Sequence, residues 1–280
     1  AGSSMADYRI GFKWWALIIA VVFVISELVC VACVPERPVA CDEKPGKISD
    51  MFKALFKNDQ AMTVVVSIIL VYTSLNICGN LVLYFFRFDV GNEGAYSIFA
   101  AVAFAAQVLV MMVIPLLRKR FSKSQLFISG FIIQIAGFAV ILIMAFAKLY
   151  TPQSWYILCL PGILIYLGYG MLNVIMTIFL SDSVDYGEVM NGTREESVIF
   201  SMQTFTVKLA SGVAVFLAGL VVDWIHLDTA AAVQTQDTLD ALRMWMTIPS
   251  VILLIVGIFV FKRFYKLDDT RMEEIKSKLN

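Results

Sequence analysis

The sequence predicts an all-α membrane protein with seven transmembrane helices, and three observations carry that prediction. Of 280 residues, 60% are hydrophobic and only 16% are charged, against about 45–50% and about 25% in soluble domains. Such a chain cannot cover its surface with polar groups, so lipid must cover part of it. The apolar residues also fall into seven long runs, at 14–34, 61–86, 95–116, 126–147, 155–180, 198–222 and 244–261. Each run is near the ~20 residues that cross the hydrocarbon core as a helix. None alternates in the ~10-residue segments of a membrane β-barrel. Helix is then required, because lipid offers no partner for backbone N–H and C=O groups.

Four segments follow. Residues 1–34 hold a start that looks like a linker remnant, Ala1-Gly2-Ser3-Ser4, and the first span, which contains Glu27. No short apolar core with a small-residue cleavage site precedes that span. The chain is therefore expected to be the back part of a longer protein. Residues 35–60 form a linker made irregular by Pro35, Pro38, Pro45 and Gly46. It ends in an amphipathic helix, with Met51, Phe52, Leu55 and Phe56 at helical spacing beside Lys53 and Lys57. Residues 61–261 are a six-span bundle, and 262–280 are a tail. The tail places Met272, Ile275 and Leu279 among charges, so both amphipathic stretches are expected to lie on the membrane interface.

Charge sets the orientation and excludes one class of function. With 22 basic and 22 acidic residues, net charge is zero, which excludes the basic excess of a nucleic-acid binder. Basic residues concentrate after the first span (Arg37, Lys44, Lys47, Lys53, Lys57), at Arg118–Lys123 and in the tail. The loops after the second and fourth spans carry only Arg87 and Lys148, and the loop 181–197, cytoplasmic by this alternation, is the exception, with Arg194 alone among acids. The basic loops read as cytoplasmic, which puts the N-terminus outside and the C-terminus inside. The odd set of five cysteines is no disulfide framework, and the single histidine, His226, is given no catalytic role. No metal site is expected.

Polarity inside the spans marks the functional candidates. Lys208 is the only lysine or arginine well inside a span. It lies about ten residues past Val198, hence ~15 Å deep, near the midplane. Ser201, Thr204, Lys208 and Ser211 share one helix face, with Gln203 beside it. A polar stripe with a cation at that depth faces a water-filled cavity rather than lipid. A second stripe runs through Thr73, Asn76, Asn80 and Tyr84, and a third through Tyr166, Tyr169, Asn173 and Thr177. Amides, hydroxyls and aromatic faces around one cavity suit a neutral polyhydroxyl ligand. The loop from Ser181 carries Asp182, Asp185 and Glu188 at three-residue spacing, so they share a face if helical. The Arg118–Lys123 loop can supply their counter-ions.

These residues carry a family resemblance. Asp182-x-x-Asp-Tyr-Gly-Glu, then Arg194-x-Glu-x-x-x-Phe-Ser-x-Gln-Thr and Val207-Lys208, resemble the glycoside–pentoside–hexuronide:cation symporters, most closely the melibiose carriers. Phe56-Lys57-Asn58-Asp59-Gln60, Leu75-Asn76-Ile77 and Phe261-x-Arg-Phe-Tyr-x-Leu support it. The likeness extends from about Tyr8 to Asn280. It implies a major-facilitator fold in which the last six spans form the C-terminal half. It implies transport of a sugar or glycoside coupled to a cation (Na⁺, Li⁺ or H⁺) by alternating access, with no enzymatic chemistry and no cofactor. The cation site would lie mainly in an N-terminal six-span half, of the same or a partner chain, in a bacterial inner membrane. Lys208, Thr204, Gln203, Asn173, Asn76 and Asn80 would then serve substrate, and Asp182, Asp185, Glu188 and Arg194 a cytoplasmic gate. One departure concerns specificity: Asn173 stands where the melibiose carriers lead one to expect tryptophan. A seven-span receptor, or a half-carrier that transports nothing until paired, are the alternative readings.

Overall fold

The computed structural model describes residues 5–33, 56–192, 196–231 and 233–279. Those residues are all-α, and seven of their helices are long and apolar enough to cross a membrane. Helix α1 (Met5–Cys33) belongs to a unit of its own. Its apolar run, which includes Trp14, Trp15, Phe23 and Leu28, is long enough to cross a membrane.

The second unit holds the other six spans. These are α2 (Asp59–Tyr84), α3 (Ala95–Leu117), α4 (Lys123–Phe146), α5 (Cys159–Asn191), α6 (Glu196–Trp224) and α7 (Gln236–Phe264), followed by the tail helix α8 (Asp269–Leu279). Helix α2 packs on α6 and α7, and α5 packs on α3 and α4. Contacts of α2 with α5, and of α4 with α7, join the two groups. The most buried spans are therefore α2 and α5, while α3 and α6 lie at the edges.

Local chemistry sets several of the ends. Asn58 caps α2 by accepting from the Ala61 N–H at 2.9 Å. Its amide also donates to the Ser183 carbonyl of α5 at 2.8 Å. Gly187 is needed there, since a Cβ at that position would come within 2.8 Å of Asn58 Nδ2. A capping box of Ser122 and Gln125 opens α4. Helix α2 ends by passing into a π turn, Phe85–Asp89. Aromatic rings then close both ends of the bundle. Phe127, Phe131, Phe179, Phe261 and Tyr265 pack with centroids 4.4–5.2 Å apart at the tail end. Phe85, Phe86, Phe99, Tyr96 and Tyr150 pack at 5.0–6.1 Å at the opposite end.

Between helices the packing relies on close approach, as it must where lipid is as apolar as leucine. At Gly168 of α5 an added Cβ would sit 2.5 Å from the Gly130 carbonyl oxygen of α4. Gly168→Val is expected to force α4 and α5 apart. The folded yield after detergent extraction should fall several-fold, read as the monodisperse fraction on size exclusion; an unchanged yield would refute the close crossing.

The tail end of the bundle departs from the sequence reading in two ways. Helix α5 runs on through the acidic stretch to Asn191, so Asp182, Asp185 and Glu188 lie on its last turns rather than in a loop. The reason is local: Asp182 is buried and paired with Lys123, and the helix stops where Gly192, in the left-handed conformation, donates its N–H to the Glu188 carbonyl. The tail also departs. Met272 and Ile275 are buried against Tyr186, Val189 and Tyr265, so its apolar face is covered by protein rather than by lipid. Most of the amphipathic stretch 50–57 lies outside the described residues.

Candidate functional site

The predicted stripes occupy three helices and take up a definite arrangement. On α2 the polar positions are Tyr72, Asn76, Asn80 and Tyr84. Asn76 Nδ2 donates to the Tyr72 carbonyl and Asn80 Nδ2 to the Asn76 carbonyl, each at 2.7 Å. Steps of four residues advance about 40° around a helix, so this series winds from one side of α2 to the other. At its start, Asn173 Nδ2 of α5 donates to the Tyr72 hydroxyl at 2.6 Å. Tyr72 and Tyr169 meet edge to face at 5.5 Å, and Tyr166 follows at 6.5 Å. At its end, Asn80 and Tyr84 turn toward α6, where they line a cleft of about 530 Å³ with Val215, Gly219 and Asp223.

Sequence reasoning missed Tyr72 and placed Thr73 in the stripe instead. Thr73 is buried and lines an apolar groove with Ile69, Ile77 and the α7 residues Ile248 and Pro249. The signal that marks Tyr72 is the even four-residue spacing 72, 76, 80, 84, with each amide bonding back one turn.

On α6, Ser201, Thr204 and Lys208 are exposed, and Gln203 and Ser211 are half-buried. Thr204 returns its hydroxyl to the Phe200 carbonyl at 3.3 Å. Lys208 is the thirteenth residue of α6 and Tyr72 the fourteenth of α2. The groove that joins Thr73 and Ile77 to Val213 and Leu217 sets these two helices in register. Lys208 and Tyr72 therefore lie within about one helical turn of the same level. No hydrogen bond or ion pair among the described residues joins Lys208 to Asn173, Asn76, Asn80 or any carboxylate. The structure thus gathers Asn173, Asn76 and Asn80 with Tyr72, and leaves Lys208, Thr204 and Gln203 on a separate exposed face at that depth.

The acidic candidates sit at the tail end. Asp182 forms a buried ion pair with Lys123 of α4. Lys123 Nζ also lies 3.4 Å from Asp269 of α8, which Arg118 reaches at the same distance. Burial alone would raise the Asp269 carboxyl, but Arg118 and Lys123 outweigh it and hold the group below the usual carboxylate range. Asp185 and Glu188 are half-buried on the same end of α5. Arg194 lies outside the described residues.

A second ion cluster, at the opposite end, had no counterpart in the sequence reading. Arg243 of α7 forks onto Asp89 at the end of the π turn, with Nε and Nη2 at 2.8 and 2.5 Å. Its Nη1 reaches Asp240 at 2.7 Å. Tyr150, in the α4–α5 connection, donates its hydroxyl to Asp89 at 2.7 Å. Burial, and then the Asp89 charge, push that phenol above its ordinary range, so it stays a donor. Among the described residues no group of three or more His, Cys, Asp or Glu side chains is placed to hold a metal ion.

The sequence profile of the family described as MFS/sugar transport protein matches residues 3–269. The chain belongs to that family. Relatives include the raffinose carrier protein of Pediococcus pentosaceus, 24% identical over 99% of this chain and 43% of the carrier. The isoprimeverose transporter of Lactiplantibacillus pentosus is 25% identical over 92% of this chain and 52% of the transporter. The lactose permease of Lactobacillus helveticus is 22% identical over 96% of this chain and 42% of the permease. This MFS/sugar transport chain therefore spans about half the length of the curated relatives it matches, and those relatives are carriers rather than enzymes. The match agrees with the glycoside–pentoside–hexuronide resemblance and with an all-α, multi-pass membrane protein.

Proposed function

We propose that this chain supplies the C-terminal half of a sugar:cation symporter of the bacterial inner membrane, with the α8 end in the cytoplasm. The observation that supports this best is the exposed face of α6. It carries Lys208 at the depth of the Tyr72–Asn173 pair, and Lys208 has no carboxylate partner among the described residues. A cation there calls for acids and water from an opposing half. The Tyr72, Tyr169 and Asn173 cluster offers ring faces, a hydroxyl and an amide to sugar hydroxyls. Transport would proceed by rocking of two halves about this level. Lys208, Thr204, Gln203, Asn173, Asn76 and Asn80 would bind substrate or shape the cavity. Because Asp182 is held by Lys123 of the same half, we assign it to bracing α4 against α5. Asp185, Glu188 and Arg194 would take part in closing the cytoplasmic side. The coupling cation (Na⁺, Li⁺ or H⁺) would bind mainly in the N-terminal half.

The test is uptake by the whole carrier in proteoliposomes. Raffinose, lactose, isoprimeverose and sulfoquinovose, sugars named for relatives of this chain, would be offered with an imposed Na⁺, Li⁺ or proton gradient. Accumulation of at least one sugar, lost when the gradient is collapsed, is expected. Sugar entry that only equilibrates would remove the coupling; no entry of any sugar would remove the sugar reading.

A further inference from the structure

We infer that the cleft between α2 and α6, lined by Asn80, Tyr84, Gly219 and Asp223, is an entry subsite that receives neutral glycosides and turns away anionic ones. It rests on the symporter reading for its substrate class and orientation, and goes beyond it in placing a selective step outside the midplane.

Three observations carry it. The first is continuity. Starting from Ser201, Thr204, Lys208 and Ser211, steps of three and four residues reach Val215, Gly219 and Val222, so the face that holds Lys208 leads into the cleft. The α2 series does the same from Tyr72 to Tyr84. Both stripes thus run from the midplane level to one opening. The second is composition. The cleft offers a phenol ring, an amide and a carboxylate, beside apolar walls from Val215, Phe216 and Leu220. A pyranoside needs that mixture: a ring face against its C–H surface, and acceptors for paired hydroxyls. A carboxylate accepts two hydroxyls at once, whereas it repels a uronate or a sulfonate. The third is a firm mouth. Tyr84 immediately precedes the π turn, whose Asp89 is clamped by Arg243 and Tyr150. Just past Asp223, Thr238 Oγ1 of α7 donates to the Ile225 carbonyl at 3.1 Å. The opening is therefore held between braced segments. It also has room: a Cβ at Gly219 would meet nothing within 4 Å.

Two measurements on the whole carrier test this. The first is competition against uptake, by a neutral glucoside and by the glucuronide of the same aglycone. In the wild type the neutral compound should compete at least about tenfold better. Asp223→Asn should narrow that ratio several-fold by improving the glucuronide. An unchanged ratio would overturn the subsite, while absence of any sugar uptake in the wild type would overturn the symporter reading instead. The second needs no transport. In a version lacking its other cysteines, Gly219→Cys is labelled with cationic and anionic thiosulfonates of equal size. One carboxylate beside the thiol should favour the cationic reagent by about threefold at physiological salt, and Asp223→Asn should abolish the bias. Equal rates in the Asp223 protein, or no labelling at all, would show that the cleft is not a charged water-filled entry.

Discussion

Arg243→Ala is expected to lower the unfolding temperature of the whole carrier more than any single exposed-residue change. The Arg243 and Asp89 side chains are 3% and 4% exposed. The guanidinium forks onto both Asp89 oxygens, reaches Asp240 and lies 5.8 Å from the Phe146 ring. Truncation leaves the Asp89 carboxylate buried with only the Tyr150 hydroxyl. Breaking a buried pair from one side costs about 3–5 kcal/mol, because the remaining charge is uncompensated. In a carrier about twice this chain's length, that corresponds to a drop of about 3–4 °C. Arg243→Lys keeps the charge but loses the fork, so an intermediate loss is expected. The decisive variant is Asp89→Asn with Arg243→Met. It removes both charges and should recover much of the loss, and thermal unfolding in detergent reads all three. If Arg243→Ala unfolds within about 1 °C of the wild type, the cluster does not hold α2, α7 and the α4–α5 connection together.

That cluster also shows where sequence reading stops. Asp89 and Arg243 lie 154 positions apart, each just beyond an apolar run, and such charges resemble ordinary interfacial residues. Nothing in spacing pairs them. The pairing needs the π turn after Tyr84, and it needs α7 to begin at Gln236, two turns before the apolar run suggests. The seven spans were legible because lipid leaves one backbone solution to a long apolar run. The stripes were legible because helical periodicity puts every third or fourth residue on one face. Tyr72 was not, since Thr73 fits a three-residue step to Asn76 as well as Tyr72 fits a four-residue one, and only the contact of the Tyr72 hydroxyl with Asn173 decides between them. The Asp182–Lys123 pair was half legible. The acids and the basic loop were both evident and were set opposite one another, but the sharing of Lys123 with Asp269 depends on how the tail helix folds back.

Lys208→Ala is the counterpart to Arg243→Ala, because it should cost function and spare stability. The Lys208 side chain is exposed on α6 and has no hydrogen bond or ion pair among the described residues, so truncation leaves nothing in this half buried and unpaired. Surface changes of that kind stay within about 0.5 kcal/mol, and unfolding should barely move. Uptake is another matter. A hydrogen bond from a charged group contributes about 1.5–3 kcal/mol, so losing one to substrate, or to an acid on the opposing half, predicts a fall of about 10- to 100-fold. Lys208→Arg tests whether charge alone suffices: the planar fork and longer reach should leave uptake well below wild type even though the charge remains. The alternative is a lysine that reaches the headgroups along its methylene stem. At the thirteenth position of a 29-residue span that route is long in either direction, and a snorkelling lysine would make both substitutions harmless to transport. Full uptake by Lys208→Ala would therefore remove Lys208 from the substrate path, while loss of uptake with an unchanged unfolding temperature would place the working cation of this half on α6.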